Sequence, residues 1–256
     1  ACERDARTHY ENFPVASWLL PRAMRPHVAA VYAFARAADD FADEGVRPAG
    51  ERHALLDGWL RRLHEAAAAG APGRPPMAGE PSNTVDIFLA LGGSIRAHGL
   101  PVALFEDLVS AFRQDIATTR YEEWAHPLDY CRRSANPVGR LVLRIAGYRE
   151  EALDAASDAV CTALQLTNFW QDLKIDFDRG RVYLPAAERR RHGASEADLH
   201  GPTLGPGGRS ALAAATARTR GLFTAGRPVC DPVNARLRYE LRATWLGGIR
   251  ILDRLE

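Results

Sequence analysis

Between Gln165 and Pro185 the chain reads QLTNFWQDLKIDFDRGRVYLP, and this stretch constrains the fold more than any other. Asn168, Asp172 and Asp176 recur at every fourth position. On a helix that spacing stacks them on one face, a turn apart. Phe169, Trp170 and Leu173 lie between them, so the helix is otherwise apolar enough to be buried. Asn and Asp are poor helix formers, and a buried carboxylate is costly without a partner. A helix that stacks such groups on a buried face is built to meet a ligand. Oxygen donors of this kind suit a hard cation such as Mg2+, held by one or two carboxylates together with phosphate oxygens.

The rest of the chain has the same helical grain. Ala, Leu and Arg dominate, apolar residues recur at three and four, and alternating β-branched runs are nearly absent. This pattern predicts an all-α fold. Helices are expected over roughly 22–45, 51–69, 82–98, 101–119, 127–146, 149–177, 207–226 and 232–254. Gly70 to Pro81 (GAPGRPPMAGEP) is too rich in Pro and Gly to be helical and reads as an exposed loop. Asp178-Arg179-Gly180 is expected to turn the chain out of the central helix, and His200 to Gly208 forms a second loop. Neither loop is long enough for a domain linker, and no solenoid-type repeat is present, so residues 1–256 read as a single helical domain.

Composition narrows the function classes. A chain of 256 residues can bury a large core. Its net charge of +1 gives no case for nucleic-acid binding. Cys2, Cys131, Cys161 and Cys230 are widely spaced without a CxxC, which fits reduced thiols in a cytoplasmic protein. No apolar run is long enough to span a membrane, and the N-terminus lacks a signal-peptide pattern.

A second acidic cluster lies at Arg36-Ala-Ala-Asp39-Asp40-Phe-Ala-Asp43-Glu44. Tyr32, Arg36, Asp39 and Asp43 fall on one stripe, opposite Ala, Val and Phe positions that can pack. Alone, an Asp-x-x-x-Asp pair reads as a solvated helix end. Two such pairs on two apolar helices argue otherwise. Facing each other, they would gather four carboxylates and Asn168 around one cavity, with strong mutual repulsion. Mg2+ and a bound diphosphate would relieve it. Arg36, Arg140, Lys174 and Arg181 lie near these segments and can complete the site, although each alone also reads as surface charge. The Tyr183 hydroxyl can meet a phosphate, or its ring can simply pack a helix end.

DDFAD at 39–43, YCRRSANPVGRL at 130–141 and the 165–185 stretch together resemble the squalene and phytoene synthase family of head-to-head prenyl synthases. The similarity runs from His9 to the last helix. HYENFPVASWLLP at 9–21, Asn136-Pro137 before Val138-Gly139, and Phe-Trp-Gln-Asp at 169–172 look most like the family's hydroxysqualene synthases, which act on presqualene diphosphate in bacterial hopanoid biosynthesis. Condensing members more often carry Ile-Leu-Arg-Asp at the last place, so Gln171 argues against condensation of two farnesyl diphosphates.

The resemblance implies the isoprenoid synthase fold, with long helices around a central cavity. It implies that Asp39, Asp43, Asn168, Asp172 and Asp176 hold Mg2+ against the diphosphate. Arg36, Tyr32, Arg140 and Arg181 would contact or orient that group, with Tyr183 beside them. Phe13, Tyr130, Val138, Gly139, Val142, Leu164, Gln165 and Tyr239 would line the prenyl channel or its mouth. Ionisation followed by water capture would give hydroxysqualene, with aromatic faces such as Phe13, Phe34 and Tyr32 stabilising the cation. Head-to-head condensation is the alternative on the same fold. A non-catalytic binding or assembly protein is the alternative of another class, but it should have lost acidic ligands that are all present here. A di-iron carboxylate protein would need Glu-x-x-His on the metal helices, which neither has. The expected partners are the prenyl diphosphate substrate, other hopanoid-pathway enzymes and, for an oily substrate, a peripheral membrane contact without a visible anchor.

Overall fold

Pro26 sits in the first turn of helix α1 (Arg25–Asp43), where its missing N–H costs nothing. An Ala-rich run carries the helix on and buries Val28, Val31, Phe34, Ala38 and Phe41 along one side. Gly45, at φ 70, then lets the chain leave the helix. The computed structural model describes residues 19–69, 74–201 and 203–255. The N-terminal motif with Phe13 and His9 lies outside them.

Helices α2 (Ala49–Ala69), α3 (Thr84–His98) and α4 (Val102–Asp115) follow. With α1 they enclose an apolar core around Trp59, whose indole N–H donates to the Phe34 carbonyl at 3.1 Å. Phe34 is fully buried there against Trp59, Phe88 and Phe105. It therefore packs the core and does not line the cavity that the cation reading required.

The helix expected over 127–146 is two helices, α5 (Ala125–Ser134) and α6 (Asn136–Ile145). Pro137 has no N–H and its ring clashes with the preceding turn, so the chain bends at Ala135, φ −111 and ψ −47. The helix expected over 149–177 is also two, α7 (Glu151–Gln171) and α8 (Leu173–Asp178), jointed at Asp172. This joint is mild. The Asp172 N–H still reaches the Asn168 carbonyl, and the Asp176 N–H the Asp172 carbonyl, both at 2.8 Å. The turn expected at Asp178–Gly180 forms, with Gly180 at φ 82.

The chain then docks back. Val182 bridges to Arg120, its N–H donating to the Thr119 carbonyl at 2.9 Å, and the Ala186 N–H donates to Tyr121 at the same distance. Two short helices not expected from the sequence, α9 (Ala186–Arg191) and α10 (Ala197–His200), precede the long α11 (Pro206–Gly226). A 3-10 turn over Arg227–Cys230 leads into α12 (Ala235–Leu252). Among the described residues there is no β-strand. A second apolar core, around Leu166, Trp170 and Phe223, packs α7 against α11. The fold is all-α, and the space between the two cores holds the cavity described next.

Candidate active site

Three graded helical walls, with Leu108 and Phe112 of α4 beside them, line a cavity of about 440 Å3. Each wall changes from polar to apolar along its length. On α1 the lining runs from Asp39 and Arg36 through Tyr32 to Val31 and Val28. On α7, with its cap, it runs from Asp172 and Asn168 through Gln165 to Leu164 and Cys161. On α5 and α6 it runs from Tyr130 and Ser134 to Val138, Val142 and Ile145. Along α1 and α7 the descent takes about three turns, roughly 16 Å of helix. The result is one chamber with an acidic mouth and an apolar floor. Asp39 and Asp172 line the same space, so the two acidic helices do confront each other.

The segment after α8 closes the arrangement. Arg181 reaches across to Asp43, Nη2 to Oδ1 at 2.6 Å. Burial alone would lower the Arg181 pKa, but Tyr183 and the hydrogen bond with Asp43 outweigh it and raise the pKa. Burial raises the pKa of Asp176 to about 6, with repulsion from Asp172 and Asp43 adding and Arg181 and Arg179 opposing. Burial likewise raises that of Asp172. Arg36 pairs with Asp40 of its own helix at 2.7 Å and with the C-cap residue Glu44 at 2.9 Å.

This mouth suits a hard cation. Its donors are carboxylate and amide oxygens, and burial raises the pKa of two of its carboxylates, Asp172 and Asp176. The C-terminal ends of α1 and α7 both point to it and add partial negative charge. Among the described residues, no three His, Cys, Asp or Glu side chains converge into a closed metal cage. Opposed pairs of this kind fit ions that complete their shell with ligand phosphate and water.

Several expected site residues lie elsewhere. Arg140 is absent from the cavity wall because it forks onto Asp158, Nη2 to Oδ2 at 2.6 Å, one turn from the Arg144–Asp154 pair. These two rungs stitch α6 to α7. Gly139 is not channel lining but a close helix contact: a Cβ there would sit 2.3 Å from Ser157 Oγ and 2.6 Å from Cys161 Sγ. Asn136 ties the same pair of helices by accepting from Thr162 Oγ1 at 2.9 Å. Tyr239 is 62% exposed on α12, on the side away from buried Leu237, Glu240 and Thr244. Tyr183 is buried beneath the mouth, its ring parallel to Phe169 at 3.7 Å.

Other residues emerge only in three dimensions. Phe112 and Ser134 line the cavity, and Asp115 is buried behind Tyr130. The Tyr130 hydroxyl donates to Asp115 Oδ2 at 2.6 Å. Burial raises the Asp115 pKa to about 7, against the Tyr130 hydrogen bond and the charge of Arg181. Its sequence signal was an acidic residue in register with Leu108, Ala111 and Phe112, on the apolar stripe of α4.

Known proteins share this architecture. Residues 6–256 match the squalene/phytoene synthase family. A hydroxysqualene synthase of Rhodopseudomonas palustris is 34% identical over 260 residues, covering 99% of this chain and 82% of that protein. A phytoene synthase of Mycobacterium tuberculosis is 32% identical over 191 residues, 75% of this chain and 58% of that one. The crystal structure of squalene synthase HpnC from Alicyclobacillus acidocaldarius superposes with a TM-score of 0.86 at 39% identity, covering 99% of this chain and 90% of the other. The helical chamber is thus that of a squalene-synthase-type isoprenoid synthase. The chain belongs to the squalene and phytoene synthase family, and it is an enzyme of that family.

Proposed function

We propose that this enzyme ionises presqualene diphosphate with the help of Mg2+ and captures the resulting cation with water, giving hydroxysqualene and diphosphate. The observation that carries the reading is the polarity gradient of the chamber. A molecule with a diphosphate head and long hydrocarbon arms matches an acidic, cation-binding mouth above an apolar floor. Hydroxysqualene synthase stands among the relatives, and Gln171 presents a neutral, exposed amide at the end of α7 where condensing members more often carry arginine.

Asp39, Asp43, Asn168, Asp172 and Asp176 would hold Mg2+. Bound there, the ion would draw negative charge onto the departing diphosphate. The protein's own groups do the rest. Arg181 and Arg36 place positive charge at the mouth, beside the acidic residues they pair with. The apolar walls formed by Val28, Val138, Val142 and Leu164 keep solvent from the cation. The aromatic faces of Tyr32 and Phe112 in the lining favour positive charge. No protein nucleophile is needed.

An oily product would favour release at a membrane surface or to the next enzyme of the pathway. No helix among the described residues is long and apolar enough to cross a membrane, so such contact would be peripheral.

The test offers purified protein presqualene diphosphate or farnesyl diphosphate, with Mg2+ and without a reductant, and reads the extract by mass spectrometry. The expected result is an alcohol from the first and no product from the second. A cyclopropyl diphosphate made from farnesyl diphosphate would replace this reading with the condensing one.

A further inference from the structure

A polar band interrupts the chamber just below its mouth. Tyr130 and Ser134 stand one turn apart on α5, and both line the cavity. Ser134 Oγ is buried and has no hydrogen-bond partner among the described residues. Tyr130 is only 5% exposed, and its hydroxyl hydrogen is committed to Asp115 Oδ2 at 2.6 Å. A phenol has a single O–H to give. With that hydrogen spent, the Tyr130 oxygen can only accept from any further partner.

Asp115 is 9% exposed, and its second oxygen, Oδ1, is buried without a hydrogen-bond partner among the described residues. A carboxylate in that position weakens the core, since a buried charge without full hydrogen bonding is costly. What it gains is a fixed orientation for one hydroxyl on the chamber wall. Tyr130 and Ser134 stand on the same face of α5, so both side chains meet the same part of the chamber.

We propose that Tyr130 and Ser134 hold the water that captures the carbocation, and that Asp115 is the positioning residue that turns the Tyr130 oxygen toward it. The inference rests on the water-capture reading above and locates its second reactant. A water donating one hydrogen to Tyr130 Oη and the other to Ser134 Oγ keeps its lone pairs free for the cation. Its oxygen supplies both electrons of the new C–O bond. The oxonium formed gives a proton to Tyr130 Oη as the phenol's own proton passes to the Asp115 carboxylate. The step ends with a neutral alcohol, a neutral Tyr130 and a protonated Asp115, which returns its proton to solvent before the next turnover.

The experiment compares wild type with Ser134→Ala, Tyr130→Phe and Asp115→Asn on presqualene diphosphate and Mg2+ in water labelled with heavy oxygen. It reads labelled alcohol and released diphosphate separately. Wild type should give nearly one alcohol per diphosphate. In Ser134→Ala and Tyr130→Phe the ratio should fall by about tenfold, the loss of roughly one orienting hydrogen bond, with hydrocarbons formed by proton loss making up the difference. Asp115→Asn keeps the acceptor for Tyr130 but can take no proton, so its ratio should fall as well. Ser134→Thr, which keeps the hydroxyl, should restore the ratio. A side chain that merely supports the fold would lower both products together, so an unchanged ratio in Ser134→Ala and Tyr130→Phe would overturn the inference. Wild-type protein that releases diphosphate but no alcohol would instead overturn the functional reading, and this inference with it.

Discussion

Asp115 occupies a register position on α4 that Leu108 and Phe112 reserve for an apolar side chain, and its cost can be measured. Burial raises its pKa to about 7 in the folded protein, above the ordinary carboxylate value near 3.9. The folded state thus binds this proton more tightly than the unfolded chain. The group's contribution to stability falls as pH climbs between those two values and levels off above the folded one. Asp115→Asn can still accept from Tyr130 but has no proton to lose. Thermal unfolding of the two proteins from about pH 5 to about pH 8 should show the variant gaining on wild type as pH rises, most of it before pH 7. Parallel pH profiles would mean that Asp115 ionises as easily folded as unfolded. Asp172 allows a complementary test. It caps α7 at the chamber mouth, so Asp172→Asn should reduce diphosphate release by about two orders of magnitude or more. Its far-ultraviolet circular dichroism should stay that of wild type. Loss of the helical signal along with turnover would make the carboxylate structural.

At the scale of elements, the legibility of the sequence followed the range of the interaction. The helices were readable because apolar periodicity is local, and the Gly180 turn because a glycine marks it. The joint at Asp172 was not readable, since its i→i−4 hydrogen bonds persist and no Pro or Gly announces it. The break at Ala135 had its signal in Pro137, which a continuous apolar pattern masked. Arg140 looked like a phosphate ligand because its partner, Asp158, lies on another helix. The Pro-rich loop shows the same effect. Its composition reads as exposed, yet the Glu80 side chain is fully buried against Arg62, Oε2 to Nη2 at 2.8 Å. Arg62 also donates to the Arg74 and Pro75 carbonyls at 3.0 and 2.7 Å, clamping the loop onto α2. Breaking one partner of a buried pair leaves the other charge stranded, so Glu80→Gln should cost about 3 kcal/mol in urea unfolding. Replacing both partners with methionine should cost less than the single change. If Glu80→Gln unfolds like wild type, the clamp contributes nothing.

At the scale of the whole molecule, neither acidic cluster is a site until the fold brings the C-terminal ends of α1 and α7 to one mouth. Four carboxylates then share a small region with Arg181 and Arg36, and the balance of charge depends on what binds. A diphosphate alone adds negative charge to an acidic rim, and Mg2+ alone must complete its shell with water between opposed pairs. Bound together, each neutralises the other, so binding should be synergistic. A ligand set at one hundred times its dissociation constant stabilises by about 2.7 kcal/mol. In a protein of this size that corresponds to a rise in Tm of roughly 5–10 °C. Differential scanning fluorimetry should therefore show a shift of that order with Mg2+ and inorganic diphosphate together, and much smaller shifts with either alone. Asp39→Asn and Asp172→Asn should each abolish the synergy, because the two residues stand on opposite walls of the mouth. A surface variant such as Arg250→Gln, on an exposed position of α12, should retain it. Additive shifts in wild type, or synergy that survives the loss of either aspartate, would mean that the two acidic helices do not act on one shared ligand.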